Sequence, residues 1–596
     1  MELSSEQQEI LDIDGHLLVK GGPGSGKTTI SILKASQIAL SKLTPGQKIL
    51  FLSFARATVA RVTQAIDAES SISKEAKARI EVETYHSFFW RILKTHGYLL
   101  GLPIPVKLLS PSNEAIALAG VRADFPSRGI SEEQKKEKSK KEELERRRLA
   151  FDEGLVCFSL FAEFVADLIG RSDKVRRLIS DKFPFIILDE FQDTDQNQWR
   201  VMKVLGVGSC ILALADPEQR IFEWIGADPE RLDHFESEFS PTLIDLGSAN
   251  HRSGGTDLAT FGDHILTGKF QDDPYAGLYF ETYPSNKNQA LTKVITTALQ
   301  ARTRLLRDGA KDWSIAILVP TKAMTRIVSD KLRHPPAGLS AVSHSAAVEM
   351  EAVVLAAELI AFSLEVSGGS SETASFLSMI EEFYLGRGGD SPTKKDLKSA
   401  GKIRSDFAAF TKAISQQKKP RKTNSIPSIL AAFELLSSLD LSGNPEVDWL
   451  EVRKVLEGCG SPQLVEIADE AKNVRLLERG SELRQALAQL WRDGGSYAGA
   501  LEVVRGAFVQ EHFSSSNRPE QGVVVMNMHK AKGKQFDEVI IFDGWERFRN
   551  RIVRQNKAEN VSGQVRQNFR VSVTRAKTRT TILTPQNDAC VLLVAD

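Results

Sequence analysis

The feature that most constrains this chain is a glycine-rich segment near its start, GGPGSGKT at residues 21–28. It fits the pattern G-x-x-x-x-G-K-[ST] and lies between a strand-like run, HLLVK, and a helix-like run, TTISILKASQIAL. Glycines in such a turn let backbone N–H groups close around phosphate oxygens at a helix N-terminus, where the helix dipole favours anions. The segment, called here the phosphate-binding turn, therefore predicts a nucleotide site. A plain glycine turn is the alternative, and the flanking strand and helix disfavour it.

The residue types within this turn have definite uses. Lys27 is expected to pair with the β- and γ-phosphates of ATP, and the hydroxyl of Thr28 is expected to ligate Mg²⁺. The residues that we expect to contact the nucleotide here are Gly21, Gly22, Pro23, Gly24, Ser25, Gly26, Lys27, Thr28 and Thr29.

An acidic element follows a second apolar run, because FIIL at residues 185–188 precedes Asp189 and Glu190. At the carboxyl end of a parallel strand beside the phosphate-binding turn, Asp189 is placed to hold Mg²⁺ and Glu190 to polarise the attacking water. An acidic turn at a strand end is the alternative, and the nucleotide motif earlier in the chain makes it the weaker interpretation.

Strand-like apolar runs alternate with amphipathic segments, as in parallel sheets with crossover helices. One set lies at residues 16–20, 48–54, 183–188 and 210–215, with a further strand near Val82, and a second set lies at residues 314–319, 522–528, 538–542 and 580–584. Helical periodicity dominates the region between the members of the second set, including residues 349–365, 448–456 and 498–510. We therefore predict an α/β fold in which a helical insertion splits a second α/β domain.

Composition excludes several other classes of protein. The 596 residues include four cysteines without metal-ligand spacing, the N-terminus lacks the pattern of a signal peptide, and no apolar run is long enough to span a membrane. We therefore expect a cytoplasmic protein with no membrane partner. Lys plus Arg and Asp plus Glu each total 77, so a nucleic-acid partner would require a local basic groove.

Two segments are locally basic. SEEQKKEKSKKEELERRR at residues 131–148 is predicted to form a solvated helix of i,i+4 ion pairs, with DNA contact as the alternative. QQKKPRKTN at residues 416–424 is predicted to be a mobile loop that is basic enough to touch phosphate.

The acidic element continues as DEFQDTDQNQ, and with this extension the chain resembles the UvrD/Rep-type superfamily 1 DNA helicases. The remaining motifs of that family follow in the family's order across almost the whole chain. LSSEQQ near the N-terminus resembles the adenine-reading segment, which implicates Gln7. The resemblance also implies DNA contacts at Phe54 and Arg56 and, in the next motif, at Thr84 and His86.

ILALADPEQRIFEW at residues 211–224 is similar to the family motif that links nucleotide state to DNA. The resemblance implies that Gln219 senses the γ-phosphate and that Phe222 and Trp224 stack on bases. Aromatic faces stack on any base, which provides grip without sequence specificity. Two core aromatics on a helix are the alternative, and the neighbouring Asp216 and Gln219 weaken it.

Two further motifs, NHRS at residues 250–253 and VSVTRA at residues 571–576, resemble those that carry arginine fingers. The resemblance implies that Arg252 and Arg575 reach the γ-phosphate from the second core. Two such cations neutralise transition-state charge only when the cleft is closed, which would couple hydrolysis to domain motion. Surface arginines in ion pairs are the alternative.

VVVMNMHKAKGKQF at residues 523–536 resembles the motif between ATP and DNA, which implicates His529 in DNA binding and Gln535 in ribose binding. This motif departs most from the family, since Asn527 stands in place of Thr and Gln535 in place of Glu. The other departures are His251 for the Tyr that stacks on adenine, Ile225 for Arg, and Arg56 with Ala57 for Asn-Lys. An amide still hydrogen-bonds a ribose hydroxyl, so we expect an active ATPase.

The resemblance implies an α/β fold with two RecA-like P-loop cores, each with a parallel sheet and a mainly helical insertion. The expected parts are residues 1–95 and 180–245 for the first, ATP-binding core, 96–179 for its insertion, 246–350 and 515–596 for the second core, and 351–514 for its insertion. Because the phosphate-binding turn begins at Gly21 and 20 residues follow Ala576, we expect neither a fused N-terminal module nor a C-terminal nuclease domain.

The function so implied is an ATP- and Mg²⁺-dependent 3′-to-5′ DNA helicase and single-stranded DNA translocase, acting on single strands and duplex junctions in DNA repair or anti-phage defence. One alternative is a DNA-sensing regulatory ATPase subunit that controls a partner nuclease or a repair or defence protein without processive unwinding. A second alternative is an RNA helicase of the same superfamily.

Overall fold

The fold is described from a computed structural model. It describes residues 3–22, 24–70, 72–126, 129–217, 228–247, 255–310, 312–346, 350–366, 372–389, 393–472, 474, 482–513, 521–545 and 551–593. The strands are β1 (Leu17–Lys20), β2 (Ile49–Ser53), β3 (Ile80–Thr84), β4 (Lys107–Leu108), β5 (Leu155–Val156), β6 (Phe185–Leu188), β7 (Cys210–Ala215), β8 (Thr242–Asp245), β9 (Leu278–Tyr283), β10 (Ser314–Val319), β11 (His344–Ala346), β12 (Gly522–Asn527), β13 (Phe536–Phe542) and β14 (Ala576–Pro585).

Helices connect these strands and form most of the rest of the chain. They are α1 (Ser5–Asp12), α2 (Lys27–Ser41), α3 (Arg56–Ala68), α4 (Lys74–Ala78), α5 (Tyr85–His96), α6 (Pro111–Ala117), α7 (Ala119–Ala123), α8 (Glu132–Glu153), α9 (Phe158–Arg171), α10 (Asp173–Lys182), α11 (Gln196–Gly206), α12 (Arg231–Phe239), α13 (Leu258–Thr267), α14 (Lys287–Arg307), α15 (Lys322–Arg333), α16 (Met350–Val366), α17 (Thr373–Gly386), α18 (Lys394–Ser415), α19 (Ile426–Ser437), α20 (Pro445–Gly458), α21 (Pro462–Ala471), α22 (Glu482–Gly494), α23 (Ala500–Phe513) and α24 (Gly563–Val573). Short 3₁₀ turns cover Gly97–Leu100, Phe191–Asp193, Met528–Ala531 and Ala558–Asn560.

The chain divides into two compact units. The first contains residues 1–92, 162–348 and 515–596 with both large sheets, and the second contains residues 93–161 and 349–514 and is mainly helical. The predicted class, α/β with two parallel sheets, is confirmed. The division of the chain into two cores and two insertions at the stated boundaries stays a prediction.

The first sheet has the strand order β3-β2-β6-β7-β1-β8, and all of its pairs are parallel. Its inner strands β2 and β6 are buried along their whole length, because helices cover both faces of a parallel sheet. Since β6 and β1 both pair with β7, the turns after these strands open at the same edge of the sheet. This sheet with its helices is called the first core.

The second sheet has the order β11-β12-β10-β13-β14-β9 and is also parallel throughout. Separate apolar clusters pack on its two faces, one against α13 and α24 and the other against α14 and α15. The inner strand β10 is buried at every position. This sheet with its helices is called the second core.

The second unit packs around α16, which is buried on nearly all sides. Helices α17 to α23 contribute most of the remaining buried side chains of its apolar cluster. A helix that is apolar on all sides belongs in the centre of such a bundle. The helical region predicted between the strands of the second set is therefore confirmed.

The predicted charged helix forms as α8 and carries i,i+4 ion pairs such as Lys141–Glu137 and Arg147–Glu143. One of its arginines, Arg146, instead pairs with Glu114 within the same unit. The helix is therefore partly anchored and not only solvated. Among the described residues, no helix combines the length and apolarity needed to cross a membrane.

Strands of the sheet interiors were predictable, and three edge strands were not. The apolar runs predicted β1, β2, β6, β7, β10, β12, β13 and β14 to within a few residues at each end, and β3 near Val82. The sequence pattern did not predict β8, β9 or β11. These three strands are partly exposed at sheet edges and therefore lack a continuous apolar run.

A buried carboxylate in the second unit generates a stability prediction. Asp448 is 1% exposed and accepts hydrogen bonds from Ser442 N (2.8 Å), Ser442 Oγ (2.7 Å), Gly443 N (2.8 Å) and Tyr497 Oη (2.7 Å). We expect Asp448→Ala to lower the free energy of unfolding by about 3 kcal/mol, because it leaves several buried donors without an acceptor. Denaturant unfolding of the full chain, followed by tryptophan fluorescence, measures the change.

The control is Tyr497→Phe, which removes one of these hydrogen bonds and keeps the ring. It is expected to cost about 1 kcal/mol. Equal losses in the two variants would contradict the role of Asp448 as the shared acceptor.

Candidate functional site

The phosphate-binding turn joins β1 to α2 as the sequence predicts. Gly24 and Gly26 adopt positive φ angles of 84° and 88°, which glycine reaches without steric cost. Gly26 is the N-cap of α2 and provides no side-chain capping bond. The first backbone N–H groups of α2 therefore point into the turn, which is the arrangement that binds phosphate.

The phosphate-binding turn is tightly packed around Gly21 and Gly26. A Cβ atom on Gly21 would lie 2.6 Å from Ser25 Oγ, and one on Gly26 would lie 2.8 Å from Gln7 Nε2. Gln7 belongs to α1, where it completes a capping box with Ser4, and its Nε2 donates to Ser25 O at 3.5 Å. The structure thus places the predicted adenine-reading residue against the phosphate-binding turn.

Lys27 opens α2 and its ammonium group lies within the turn. Nζ donates to Gly21 O at 2.6 Å and to Gly22 O at 2.9 Å. Phosphate oxygens would compete with these carbonyls for the three donors of the ammonium group. Thr28 follows on the first turn of α2 and is half-buried, whereas Thr29 is exposed.

Asp189 follows β6 directly and is buried, with 5% of its surface exposed. Its Oδ2 accepts from Ser53 Oγ at 3.1 Å, and Ser53 ends the adjacent strand β2. Burial and the neighbouring charge of Glu190 raise the pKa of Asp189 to about 6, against the opposing charge of Arg61. A carboxylate in this environment is stabilised by a further cation.

Glu190 takes the left-handed conformation with φ 54°, which is uncommon for a residue with a side chain. Its Oε2 accepts from Gln192 Nε2 at 2.7 Å, and Gln192 Oε1 accepts from Asp216 N at 3.1 Å. Burial would raise the pKa of Glu190, but the charges of Lys532 and Lys27 outweigh it and hold the pKa below its ordinary value. Glu190 is therefore an ionised carboxylate, as a base that accepts a proton from water requires.

The second core contributes two cations to this cluster of carboxylates. Lys532 Nζ forms an ion pair with Asp193 Oδ2, and both side chains are almost inaccessible to solvent. Arg575 is 3% exposed and is held by its own helix end, with Nε donating to Val571 O at 2.9 Å. Burial lowers the pKa of Arg575 to about 10, and the charge of Glu190 opposes that shift.

The same segment of the second core also packs on α3. Thr58 Oγ1 donates to Gly533 O at 3.5 Å, and Gly533 has a φ of 74°. A Cβ on Gly533 would lie 2.6 Å from Thr58 Oγ1 and 3.4 Å from Ala55 Cβ. Only glycine fits this close approach.

The predicted DNA-binding residues that the structure describes lie near the ends of β2, β3 and β12. The Phe54 ring packs against Tyr85 at 4.6 Å, and Arg56 begins α3 directly after that strand. Thr84 Oγ1 accepts from Ser87 N at 3.0 Å and so caps α5, on which His86 is half-buried. Burial lowers the pKa values of His86 and His529, so both imidazoles are neutral donors or acceptors near neutral pH.

The segment from Asn527 to Phe536 explains one departure from the family pattern. Asn527 is the N-cap of the turn Met528–Ala531, and its side chain accepts from Lys530 N at 3.0 Å. Asn and Thr both cap helical turns, so the replacement preserves the geometry that positions His529. Gln535 is half-buried at the end of this segment.

Several predicted site residues lie outside the described residues. They are Pro23, Gln219, Phe222, Trp224, His251 and Arg252, together with Ile225.

Four residues of the site had no role assigned from the sequence. They are Arg61, Gln192, Asp193 and Lys532. Gln192 and Asp193 continue the acidic element, so their position in that motif was an available signal. Lys532 likewise lies within the motif at residues 523–536, but its pairing with Asp193 and the position of Arg61 depend on contacts that are distant in sequence and have no local signal.

The residues present fit a magnesium ion. Asp189 supplies a buried carboxylate beside a second one, and Thr28 supplies a hydroxyl, which are hard oxygen ligands. Within the described part of the chain, no group of three or more His, Cys, Asp or Glu residues converges as a metal site. Mg²⁺ usually keeps several waters and takes its other ligands from nucleotide phosphates.

Comparisons with known proteins point to one family. A sequence profile of the UvrD/REP helicase N-terminal domain matches residues 3–153 and 134–240. The protein YjcD of Bacillus subtilis is 22% identical over an alignment of 591 residues, which covers 90% of this chain and 72% of YjcD. The ATP-dependent DNA helicase PcrA of Staphylococcus aureus is also 22% identical, over 90% of this chain and 77% of its own length.

A solved structure was also matched. The Pif1 helicase from Candida albicans covers 50% of this chain and 55% of its own at 12% identity, with a TM-score of 0.24.

The close approach at Gly533 generates a prediction about the site. We expect Gly533→Ala to reduce ATP turnover by up to about 10²-fold, because the added Cβ meets Thr58 and displaces the neighbouring Lys532. Steady-state ATP hydrolysis measures the effect.

The matched control is Gly338→Ala, which has a similar φ of 89° but open space around the added Cβ. It carries the same backbone strain without the steric overlap, so its turnover is expected to stay at the level of the unchanged chain. Adding Thr58→Ala to Gly533→Ala removes the obstructing hydroxyl and is expected to restore part of the activity. Equal turnover in the two glycine variants would contradict the prediction.

Proposed function

We propose that this chain is a helicase of the UvrD/Rep type in superfamily 1, and that it is a motor that moves 3′ to 5′ along single-stranded DNA. Its enzyme class is that of an ATP-hydrolysing DNA helicase. The direction of movement, and action at duplex junctions in DNA repair or anti-phage defence, are the finer parts of the proposal.

One observation carries the proposal. The Glu190 carboxylate lies in the electrostatic field of Lys27 from the first core and of Lys532 and Arg575 from the second. A hydrolytic site that is completed by both cores is what a motor needs, because opening and closing of the cores then accompany each ATP cycle.

The residues divide the chemistry between binding and hydrolysis. The phosphate-binding turn would hold the β- and γ-phosphates with Lys27, while Gln7 lies beside the turn to read the base. Bound Mg²⁺, held by Thr28 and Asp189, would supply charge neutralisation for the triphosphate. Glu190 would orient the attacking water and accept its proton, and Arg575 would neutralise the charge that develops on the transferred phosphoryl group.

DNA binding connects to this site through short segments of chain. Phe54 and Arg56 flank the start of α3, whose Thr58 contacts Gly533. His529 lies three residues before Lys532, which pairs with Asp193. A bound DNA strand that moves the segment at Phe54 and Arg56, or the segment at His529, would therefore alter the charges around Glu190.

The first experiment tests hydrolysis and its dependence on DNA. We expect ATP turnover to rise when single-stranded oligonucleotide is added. Glu190→Gln should lower kcat by about 10²–10⁴-fold, because it removes the general base. Arg575→Ala should lower kcat by about 10³-fold or more, because it removes the cation that neutralises transition-state charge.

The control for Arg575 is Arg579→Ala. Arg579 belongs to β14, and its guanidinium lies over the ring of Tyr279 and near Glu281 and Glu538. Turnover that DNA does not stimulate, or full activity in Lys27→Ala, would refute the proposal. DNA-stimulated turnover without strand separation on duplexes with a 3′ tail would favour the regulatory ATPase instead, and preferential unwinding of 5′-tailed duplexes would refute the direction.

The exposed basic loop at residues 416–424 generates a separate prediction. It contains Lys418, Lys419, Arg421 and Lys422 without an acidic residue, and all four are exposed. If this loop contacts phosphates, replacing the four by Gln lowers the salt dependence of binding to a tailed duplex. The slope of log K against log[salt] should fall by up to about 0.9 for each phosphate that the loop no longer neutralises. Fluorescence anisotropy at several salt concentrations measures this slope.

The matched control removes four charges from α8, where the cations have acidic partners. Lys135, Lys138, Lys141 and Arg147 pair with glutamates of the same helix. Their replacement by Gln is expected to leave the slope unchanged. A slope that is the same in both quadruple variants would identify the loop as solvated.

A further inference from the structure

Tyr85 is a buried tyrosine whose hydroxyl has no assigned use. It is the first residue of α5, its side chain is 0% exposed, and its ring packs against Phe54 at 4.6 Å and Phe89 at 6.2 Å. The hydroxyl oxygen is buried and has no hydrogen-bond partner among the described residues. Buried hydroxyls in folded proteins nearly always have a partner, so this one needs an explanation.

Strand register places Tyr85 beside the carboxylates. Thr84 at the end of β3 pairs with Ser53 at the end of β2, and Leu52 pairs with Leu188 at the end of β6. Ser53 Oγ in turn donates to Asp189. The residues that follow these three strands therefore leave the sheet side by side, and Tyr85 and Asp189 are two of them.

A second polar atom in the same region lacks a partner. Asp193 Oδ2 is taken by Lys532, whereas Oδ1 is buried and accepts no hydrogen bond from any described residue. Burial, followed by the charges of Asp189 and Asp193, raises the pKa of the Tyr85 hydroxyl, which is therefore protonated. A donor without an acceptor and an acceptor without a donor thus lie near the residue that would hold Mg²⁺.

We propose that Tyr85 is a positioning residue whose hydroxyl, together with Asp193 Oδ1, holds a water of the Mg²⁺ hydration shell at Asp189. The proposal rests on the proposed ATPase and assigns a residue of the DNA-binding segment to its metal site. A water has the donors and acceptors to satisfy both atoms, and protein-bound Mg²⁺ keeps several waters. Outer-shell partners of this kind typically contribute 10–100-fold to metal affinity.

The position of Tyr85 would couple DNA binding to ATP hydrolysis through neighbouring residues. Tyr85 lies between Thr84 and His86, which are expected to contact the DNA strand, and its ring packs on Phe54. A displacement of this segment by DNA would move the hydroxyl and with it the water at the metal. DNA stimulation of ATP turnover should therefore depend on the hydroxyl.

Tyr85→Phe tests the proposal, because it removes one oxygen and keeps the buried ring. We measure binding of a fluorescent, non-hydrolysable ATP analogue to the full chain as Mg²⁺ is titrated, and binding of Mn²⁺ by electron paramagnetic resonance. The half-saturating Mg²⁺ concentration should rise about tenfold, whereas analogue binding without metal should not change. The ratio of turnover with and without DNA should also fall.

The control is Tyr283→Phe in the second core, whose hydroxyl donates to Gly544 O and not toward the carboxylates. It should leave the Mg²⁺ titration unchanged. The double variant Tyr85→Phe with Asp193→Asn should weaken Mg²⁺ binding by less than the product of the fold-changes in the two single variants, because both residues act on one water.

The outcomes separate this proposal from the proposed function. An unchanged Mg²⁺ titration in Tyr85→Phe, in a chain that hydrolyses ATP normally, would overturn the positioning role alone. A thermal midpoint that rises in Tyr85→Phe together with unchanged Mg²⁺ binding would identify the hydroxyl as an unsatisfied group without function. Absence of nucleotide binding by the unchanged chain would instead overturn the proposed function.

Discussion

The structure of the candidate site depends on the free-energy cost of removing three neighbouring carboxylates from water. Asp189, Glu190 and Asp193 follow one strand, and Asp189 and Asp193 are buried while Glu190 is half-buried. Ionised groups in such an environment lose several kcal/mol of hydration each unless cations or hydrogen bonds replace the water. The first core supplies Lys27 and Arg61, and the second core supplies Lys532 and Arg575. The electrostatic balance of the site therefore requires both cores.

This requirement places the link between the two cores in a few contacts. Lys532 pairs with Asp193 and acts on the charge of Glu190, and the adjacent Gly533 packs on α3. A movement of this short segment would therefore change both the pKa of Glu190 and the fit between the cores. In the proposed motor, these linked contacts would exchange between a closed arrangement with the charges paired and an open one with water in their place.

The limits of sequence reasoning follow from the range of the interactions. Buried parallel strands are continuous apolar runs, so β2, β6, β7 and β10 were visible in the sequence, whereas the partly exposed edge strands β8, β9 and β11 were not. The phosphate-binding turn was predictable because its glycines, lysine and threonine act within eight residues. The pairing of Lys532 with Asp193 joins residues 339 positions apart and has no local signature.

Departures from a family pattern also have to be judged by geometry. Asn527 replaces a threonine, yet it caps the same turn with a side-chain oxygen, so the position of the following residues does not depend on the difference. Zero net charge is equally uninformative about binding to a polyanion, because most cations on α8 are paired while those of the loop at residues 416–424 have no acidic neighbour in sequence. Recognition of a polyanion depends on the second kind of cation, since paired charges contribute little to a local potential. A balanced composition and a DNA-binding function are therefore compatible, provided that the acidic residues are concentrated where their own cations lie.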